Sequence, residues 1–340
     1  MAKYLLKRFL RSFITLIIIL SIVFILVRQM PIEGYFPNIE KMSEEQIENG
    51  LRQMGLDQPI FVQLGNFFKN LISFDFSTDR VDFTRPIWEQ AEQYLGGLIK
   101  LNLGTSRIYR NNVAVTEILA PKIPVSIKLG SLSLCVALLL GIPMGTLMAK
   151  YKGRLFDHIG TGFIVAINAV PAAVYYLFIQ LYGTEFLGIS MLFDPDKASS
   201  WILPVLSMSL GNIAYYAMWV RRYMVDESKK DYVMLARIKG AGENRIMFKH
   251  IFRNAFVPLA QYIPTSFLNT VIGSIYIESL YSIPGMGGLL VDVVKKQDNA
   301  MVQGIVLLYA CVGVIGLLLG DVMMVILDPR ISFTKKGGDR

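Results

Sequence analysis

This chain is short of the residues that most catalytic and cofactor sites need. It holds two cysteines and two histidines in 340 residues. Cys135 and Cys311 each stand inside an apolar run, where a thiol reads as a small buried hydrophobe; neither a disulfide nor a metal pair is indicated. His158 and His250 stand in polar stretches between such runs. No HExxH pair and no Cys–His couple that could share a site is present, which removes the usual routes to an intramembrane enzyme. A GxxxxGK[ST] loop is also missing, so this chain cannot hydrolyse ATP by that route. Charged residues make up 18% of the chain against 53% hydrophobic, and mean hydropathy is +0.46. That balance excludes an ordinary soluble domain. The formal charge of +8 does not point to nucleic acid, because the basic residues gather at the ends of apolar runs. A filter loop or a charged pore ring, expected of an ion channel, is not evident.

What the chain has in plenty is apolar length. About six segments are expected to span a membrane: Phe9–Val27, Val125–Ala149, Ile159–Tyr182, Trp201–Val220, Ala255–Ile277 and Val302–Leu327. Lys3, Lys7, Arg8 and Arg11 flank the first. Lys150, Lys152 and Arg154 separate the second from the third, and Arg330, Lys335, Lys336 and Arg340 follow the last. The alternate short loops carry little beyond Lys197, Lys295 and Lys296. Positive charge therefore predicts both termini on the cytoplasmic side. The first span resembles a secretory signal, but Arg28, Gln29, Met30 and Pro31 follow it in place of a small-residue cleavage site, so a retained helix is expected. Pro143, Pro171, Pro204, Pro258 and Pro264 interrupt the spans, as do Asn168, Asn212 and Asn269. Each has two readings, a local kink or an inter-helix bond on one hand and a pathway contact on the other.

Between the first two spans lies a long polar stretch. Ser43 and Gln46 have capping-box spacing ahead of a helix that places Ile47, Leu51 and Met54 on one face and stops at Gly55. A second helix is expected to carry Ile60, Leu64, Phe67, Phe68 and Leu71 on its apolar face. Phe74, Phe76 and Trp88 add to an aromatic density that should be covered.

The most informative stretch is DYVMLARIKGAGENRIMFKHIFRNAFVPL, Asp231–Leu259. Lys229, Lys230, Arg237, Lys239, Arg245, Lys249 and Arg253 keep it out of the bilayer. Ala236 and Gly240, four residues apart, are expected to share a helix face and allow close approach. Gly240 and Gly242 should then break the helix, with a second starting near Glu243. Asp231, Tyr232, Val233, Ala236, Arg237, Lys239 and Gly240, then His250, Arg253, Asn254, Ala255 and Pro258, resemble the coupling motif of ABC importer permeases of the dipeptide/oligopeptide/nickel family, nearest to oligopeptide B-type subunits. Lys249 stands where that motif usually has Arg. IESLYSIPGMGGLLVDVV, Ile277–Val294, resembles the family's outer-end turn with Tyr281 in place of Phe, and LLLGDVMMVILDPRI resembles its last span. GLDQPIFVQ and YLGGLIKLNLGTS resemble two pieces of its first outer loop, held apart here by about thirty residues, Leu64 to Gln93.

The resemblance implies an all-α membrane protein with the type I ABC importer permease fold, set in a prokaryotic plasma membrane. Its expected parts are a first helix (1–30), an extended outer loop (31–124, with the insertion near 64–93), a five-helix core (125–327) holding a cytoplasmic coupling loop (221–255), and a tail (328–340). It implies a second homologous permease, two cytoplasmic ATPases carrying ATP and Mg, and an extracytoplasmic binding protein, with no cofactor or metal on this chain. Asp231, Tyr232, Ala236, Arg237, Lys239 and Gly240 would contact an ATPase; Glu278, Pro284, Gly285 and Gly287 would form an outer gate or turn. Glu278 has two readings, a hydrogen bond to the turn or a place in the gate. Asp321, deep in the last span, should pair with a polar partner, and Lys128 should reach outward from the start of the second. Peptides are the expected cargo; nickel complexes or another small solute remain the alternative. The outer insertion is expected to form a subdomain that also seats the binding protein.

Overall fold

The computed structural model describes residues 2–36, 39–74, 84, 99–271 and 275–327. The chain divides into two compact units, one of Ile17–Pro121 with Leu290–Leu308, the other of Met1–Leu16, Lys122–Leu289 and Tyr309–Arg340.

The first of these units begins with the later half of α1 (Ala2–Arg28), which buries Leu20, Phe24 and Val27. Helix α2 (Glu44–Gln53) starts at a complete capping box: Gln46 N–H donates to Ser43 Oγ at 3.3 Å, and Ser43 N–H to Gln46 Oε1 at 3.0 Å. It stops at Gly55, whose φ of +67° suits a residue without Cβ. Helix α3 (Ile60–Leu71) follows, and the expected apolar face is used: Leu71 is buried and the Phe67 ring lies 5.1 Å from that of Phe24. Strand β1 (Ile72–Phe74) then pairs antiparallel with β2 (Ile99–Leu101), Ile72 opposite Leu101. This pairing explains how the two separated sequence pieces stay together, since the insertion leaves and returns at one ladder. Phe76, Trp88, Gln93 and most of the insertion lie outside the described residues. A second short pair, β3 (Thr105–Ser106) with β4 (Val113–Ala114), leads into α4 (Val115–Leu119), which buries Val115, Ile118 and Leu119.

The other unit is built on α5 (Ile123–Lys150), α6 (Leu155–Ala169), α7 (Ala172–Leu187) and α8 (Ile202–Glu227). α5 and α8 form its central pair. Gly141 and Gly145 let the two backbones meet: a Cβ on Gly145 would stand 2.5 Å from Ala217 O and 2.8 Å from Val220 Cβ, and one on Gly141 2.9 Å from Ile213 O. α6 and α7 meet at a 103° bend. The cause is local: Pro171 drives Val170 into extended geometry (φ −90°, ψ 128°) and ends the helix. The expected span Ile159–Tyr182 is thus a bent pair.

After α8 come α9 (Asp231–Ile238), α10 (Glu243–Arg245), a π-helical turn (Ile246–Phe252), α11 (Arg253–Ala260), α12 (Tyr262–Val271), α13 (Ile275–Leu280), α14 (Met286–Lys295) and α15 (Asn299–Leu327). The expected span Ala255–Ile277 is divided at Gln261. Three described helices are long and apolar enough to cross a membrane, covering residues 7–28, 123–150 and 299–323, or four if the bent pair is one span. α8 is 26 residues long but carries Ser207 and Ser209, both fully buried. A helix covered by its neighbours need not be apolar all round. Both described cysteines are free, and Cys135 is exposed rather than buried as its apolar setting suggests. The basic tail after the last helix lies outside the described residues.

Candidate functional site

The Asp231–Leu259 segment closes on itself through its own polar groups. Tyr232 Oη lies 2.5 Å from Glu227 Oε1 at the end of α8 and 3.1 Å from the His250 carbonyl, and Asn254 Nδ2 donates to that same Oη at 2.8 Å. Asn254 Nδ2 also reaches the His250 carbonyl at 3.1 Å. One phenol therefore pins α8, the π turn and α11 together. Burial, then the Glu227 carboxylate, pushes the Tyr232 phenol up to about 12, so it stays a neutral donor. Asp231 opens α9, where a carboxylate meets the positive end of the helix. Arg237 and Glu243 pair across the turn at 3.1 Å, both exposed, a contact of small energetic weight. Val233, Ile246, Ile251 and Ala255 bury themselves against Leu134, Ile213, Tyr216, Val220 and Met224.

Gly240 and Gly242 break the helix as expected, but the shared Ala236/Gly240 face does not form. α9 ends at Ile238, and Gly240 sits beyond it at φ +74°. Ala241 N–H returns to Ala236 O at 3.1 Å and Gly240 N–H to Arg237 O at 2.9 Å, the paired bonds of a Schellman termination. Ala236 turns inward and packs on the core. The uncovered face consists instead of Met234, Leu235, Ile238 and Phe248, which are 64%, 51%, 73% and 58% exposed.

The second constellation is the turn after α13. Glu278 is fully buried, and its carboxylate is met on both oxygens. Ser126 Oγ donates to Oε1 at 2.8 Å; the N–H groups of Gly287 and Gly288 donate to Oε2 at 2.6 and 3.1 Å. Ser126 Oγ in turn accepts Met286 N–H at 2.9 Å. Glu278 thus caps the start of α14, where partial positive charge collects. A Cβ at Gly285 would run into the Glu278 carboxylate and Ser126 Oγ, so the backbone of Pro284–Gly285 must lie bare against the acid. Tyr281 Oη shares a hydrogen bond with Ser207 Oγ at 3.0 Å, and Gln180 Nε2 holds the Leu280 carbonyl at 2.8 Å. Of the two readings of Glu278, the geometry realises the hydrogen bond to the turn. Lys128 Nζ lies 4.2 Å above the Trp201 ring, a cation–π contact.

The intramembrane polar residues fare differently. Asp321 has its partner: Arg8 Nε stands 2.5 Å from Asp321 Oδ2, an ion pair whose N–H does not point along the contact. Asn212 makes only a long bond to Met208 O at 3.5 Å, while Asn168 and Asn269 are exposed. Two buried acids escaped the sequence reading. Asp157 takes a bidentate contact from Arg221, Nε–Oδ1 2.5 Å and Nη2–Oδ2 2.8 Å, and that guanidinium holds its carboxyl below the ordinary value. Asp298 is fully buried. Its Oδ2 accepts Ser106 Oγ at 2.7 Å and the N–H groups of Arg107, Ile108 and Tyr109 at 3.2, 3.0 and 2.9 Å, while Oδ1 accepts Met301 N–H at 3.2 Å. An acid just ahead of a helix was the available signal; its partners, about 190 positions away, were not.

Residues 141–333 match the family described as binding-protein-dependent transport system inner membrane component, and residues 1–130 match its N-terminal companion. The oligopeptide transport system permease protein AmiC of Streptococcus pneumoniae is 37% identical over 212 residues, 62% of this chain and 42% of that one. The chain thus matches under half the length of that relative. The dipeptide transport system permease protein DppB of Lactococcus lactis subsp. cremoris is 30% identical over 97% of this chain and 99% of its own. Among solved structures, a chain of the MetNI methionine ABC transporter superposes with a TM-score of 0.51 at 16% identity, covering 62% of this chain and 97% of that one.

Proposed function

The chain belongs to the family of binding-protein-dependent transport system inner membrane components, and we propose that it forms half of the path by which an ATP-driven importer moves peptides. It is a multi-pass protein of the bacterial plasma membrane, and its relatives are permease subunits that are not catalytic themselves. The chain crosses the membrane about six times with both termini in the cytoplasm, the bent α6–α7 pair and the divided α11–α13 run each counting as one crossing. A second, homologous permease supplies the other half of the path. Two cytoplasmic ATPases bind ATP and Mg, and an extracytoplasmic protein delivers the peptide. The exposed amides of Asn168 and Asn269 line that path. The turn fixed by Glu278, Pro284, Gly285 and Gly287 closes its outer end, and the insertion near 64–93 gives the binding protein part of its seat.

The observation that carries this reading is the Asp231–Leu259 loop. Tyr232 and Asn254 hold the loop to its neighbours and Arg237 pairs with Glu243, yet Met234, Leu235, Ile238 and Phe248 face outward among basic residues. Apolar side chains presented on a charged, well-folded loop are the mark of a docking surface. An ATPase covers them, and Asp231, Tyr232, Arg237 and Lys239 shape and rim the patch. Reconstitution of the chain with its cognate permease, ATPases and binding protein in proteoliposomes tests the function. ATP-dependent uptake of a labelled peptide is expected, lost when the binding protein is omitted. Uptake of a nickel complex or a sugar in place of peptide would contradict the cargo, and ion conduction by this chain alone would contradict the class.

A further inference from the structure

Helix α10, the π-helical turn and α11 run on from one another between Glu243 and Ala260, yet the seven middle residues, Ile246–Phe252, are wound in π register. A π turn closes its hydrogen bonds over five residues in place of four, so it holds one residue more than the α turn it replaces. Such turns are rare, and IMFKHIF has neither proline nor glycine to force one. The cause lies in the burial pattern. Ile246 and Ile251 are both buried, and both join the core cluster that holds Tyr216 and Val220. They stand five positions apart. In an α-helix that spacing carries the second residue about 140° around from the first, so one of the two would leave the core. The π register lets both stay. From Ile251 onward the buried residues step by four, to Ala255 and Leu259, and the helix returns to α.

Polar contacts lock the turn as well. The His250 carbonyl accepts Tyr232 Oη and Asn254 Nδ2, each at 3.1 Å, and Asn254 Nδ2 also donates to Tyr232 Oη at 2.8 Å. Tyr232 belongs to the first turn of α9, and α9 packs on the π turn. The extra residue is taken up on the outer side, where Phe248 and Lys249 are exposed, while Met247 and Phe252 lie against the core. Short π segments inside α-helices recur at functional sites.

On the reading that an ATPase docks on this loop, we propose that the π turn is the positioning element of the docking face. Its extra residue aims Phe248 to the side where α9 presents Met234, Leu235 and Ile238, and Tyr232 and Asn254 hold that aim. Removing one residue from the turn brings Ile246 and Ile251 to a spacing of four, at which a plain α-helix keeps both on one face. The same change turns Phe248 about the helix axis relative to α9. The core is then kept and the docking face is lost.

The test compares deletion of Lys249 with Lys249→Ala, which removes the same side chain and keeps the length. Each full-length variant is placed in lipid nanodiscs, melted, and titrated with the cognate ATPases. Both should melt close to the parent. Lys249→Ala should bind the ATPases as the parent does, and the deletion about tenfold more weakly. Equal affinity of the two variants overturns the proposal, whether both bind fully or both bind poorly. Asn254→Ala keeps the length and removes one donor from the His250 carbonyl. It should speed amide hydrogen exchange within residues 246–252 and weaken ATPase binding about threefold; parent-like exchange and affinity in this variant also overturn the proposal. Ile238→Glu separates the two levels. If it binds the ATPases fully, the docking reading itself falls. If it loses binding while the Lys249 deletion keeps it, only the role of the π turn falls.

Discussion

In the Asp231–Leu259 loop the polar groups answer one another at the surface and apolar side chains point outward. In the turn from Ile277 to Gly288 a carboxylate is sealed inside, and Ile277, Tyr281, Ile283 and Met286 are buried around it. The two segments lie at opposite ends of the α11–α13 run and use similar material: a short helix, glycines and one acidic or phenolic pin. The difference is where the unmet surface remains. The turn spends its carboxylate on Ser126 Oγ and on the N–H groups of Gly287 and Gly288. The loop leaves an apolar face, Met234, Leu235, Ile238 and Phe248, that water covers poorly.

The sharpest way to break the contrast is at Glu278. Glu278→Ala strips acceptors from Gly287 N–H, Gly288 N–H and Ser126 Oγ, and should cost about 3 kcal/mol of stability. Glu278→Gln, which keeps one acceptor oxygen, should cost less; thermal unfolding in detergent reads both, and an unchanged melting temperature for the alanine variant would show the turn is not held this way. Next is Gly145→Leu. It forces side-chain bulk between α5 and α8, with an expected cost of about 2 kcal/mol, read by the same melt. Tyr232→Phe removes only the hydroxyl that joins Glu227 and Asn254. About 1 kcal/mol should be lost, with faster hydrogen exchange in α9 as the local sign.

The smallest effect concerns pH. Arg221 holds the Asp157 carboxyl below its ordinary value, so this pair contributes stability above the unfolded carboxylate's pKa of about 3.9. That contribution is lost as pH falls through the lower, folded value. The stability gap between the parent and Asp157→Asn should therefore stay constant from pH 7 to about 5 and narrow only below about 4. A gap that closes near neutrality would rule out the pairing.

Local signals in the chain were readable wherever structure is set by neighbours in sequence. The Ser43–Gln46 capping box, the Gly55 stop, the Gly240 break and the restart at Glu243 all follow from residues within a few positions of one another. Asp321 was readable as a residue needing a partner, because an acid in an apolar run is costly. That the partner is Arg8 was not, since it stands at the other end of the chain. The same holds for Ser126 with Glu278, Asp157 with Arg221, and Asp298 with the Ser106–Tyr109 backbone. The Gly141-x-x-x-Gly145 spacing is the local signature of the close approach of α5 and α8. Ala236 was misread for a different reason: small size permits close approach on either side of a helix, and here the inward side uses it. The bend at Pro171 was legible as a break, but its 103° angle depends on packing that no local pattern records.

Docking of an ATPase on the exposed face of α9 is tested most directly by Ile238→Glu. The Ile238 side chain is 73% exposed and contributes little to the core, so the variant should insert and melt within about 0.5 kcal/mol of the parent. Gly240→Glu would be a poorer choice, because φ +74° makes any side chain there strained. The measurement is co-purification with the cognate ATPases together with ATP-driven peptide uptake in proteoliposomes. A charge placed in a desolvated contact should weaken assembly and abolish uptake while the isolated chain stays folded. Full assembly and normal uptake by Ile238→Glu would contradict the claim that this apolar face is where the ATPase docks.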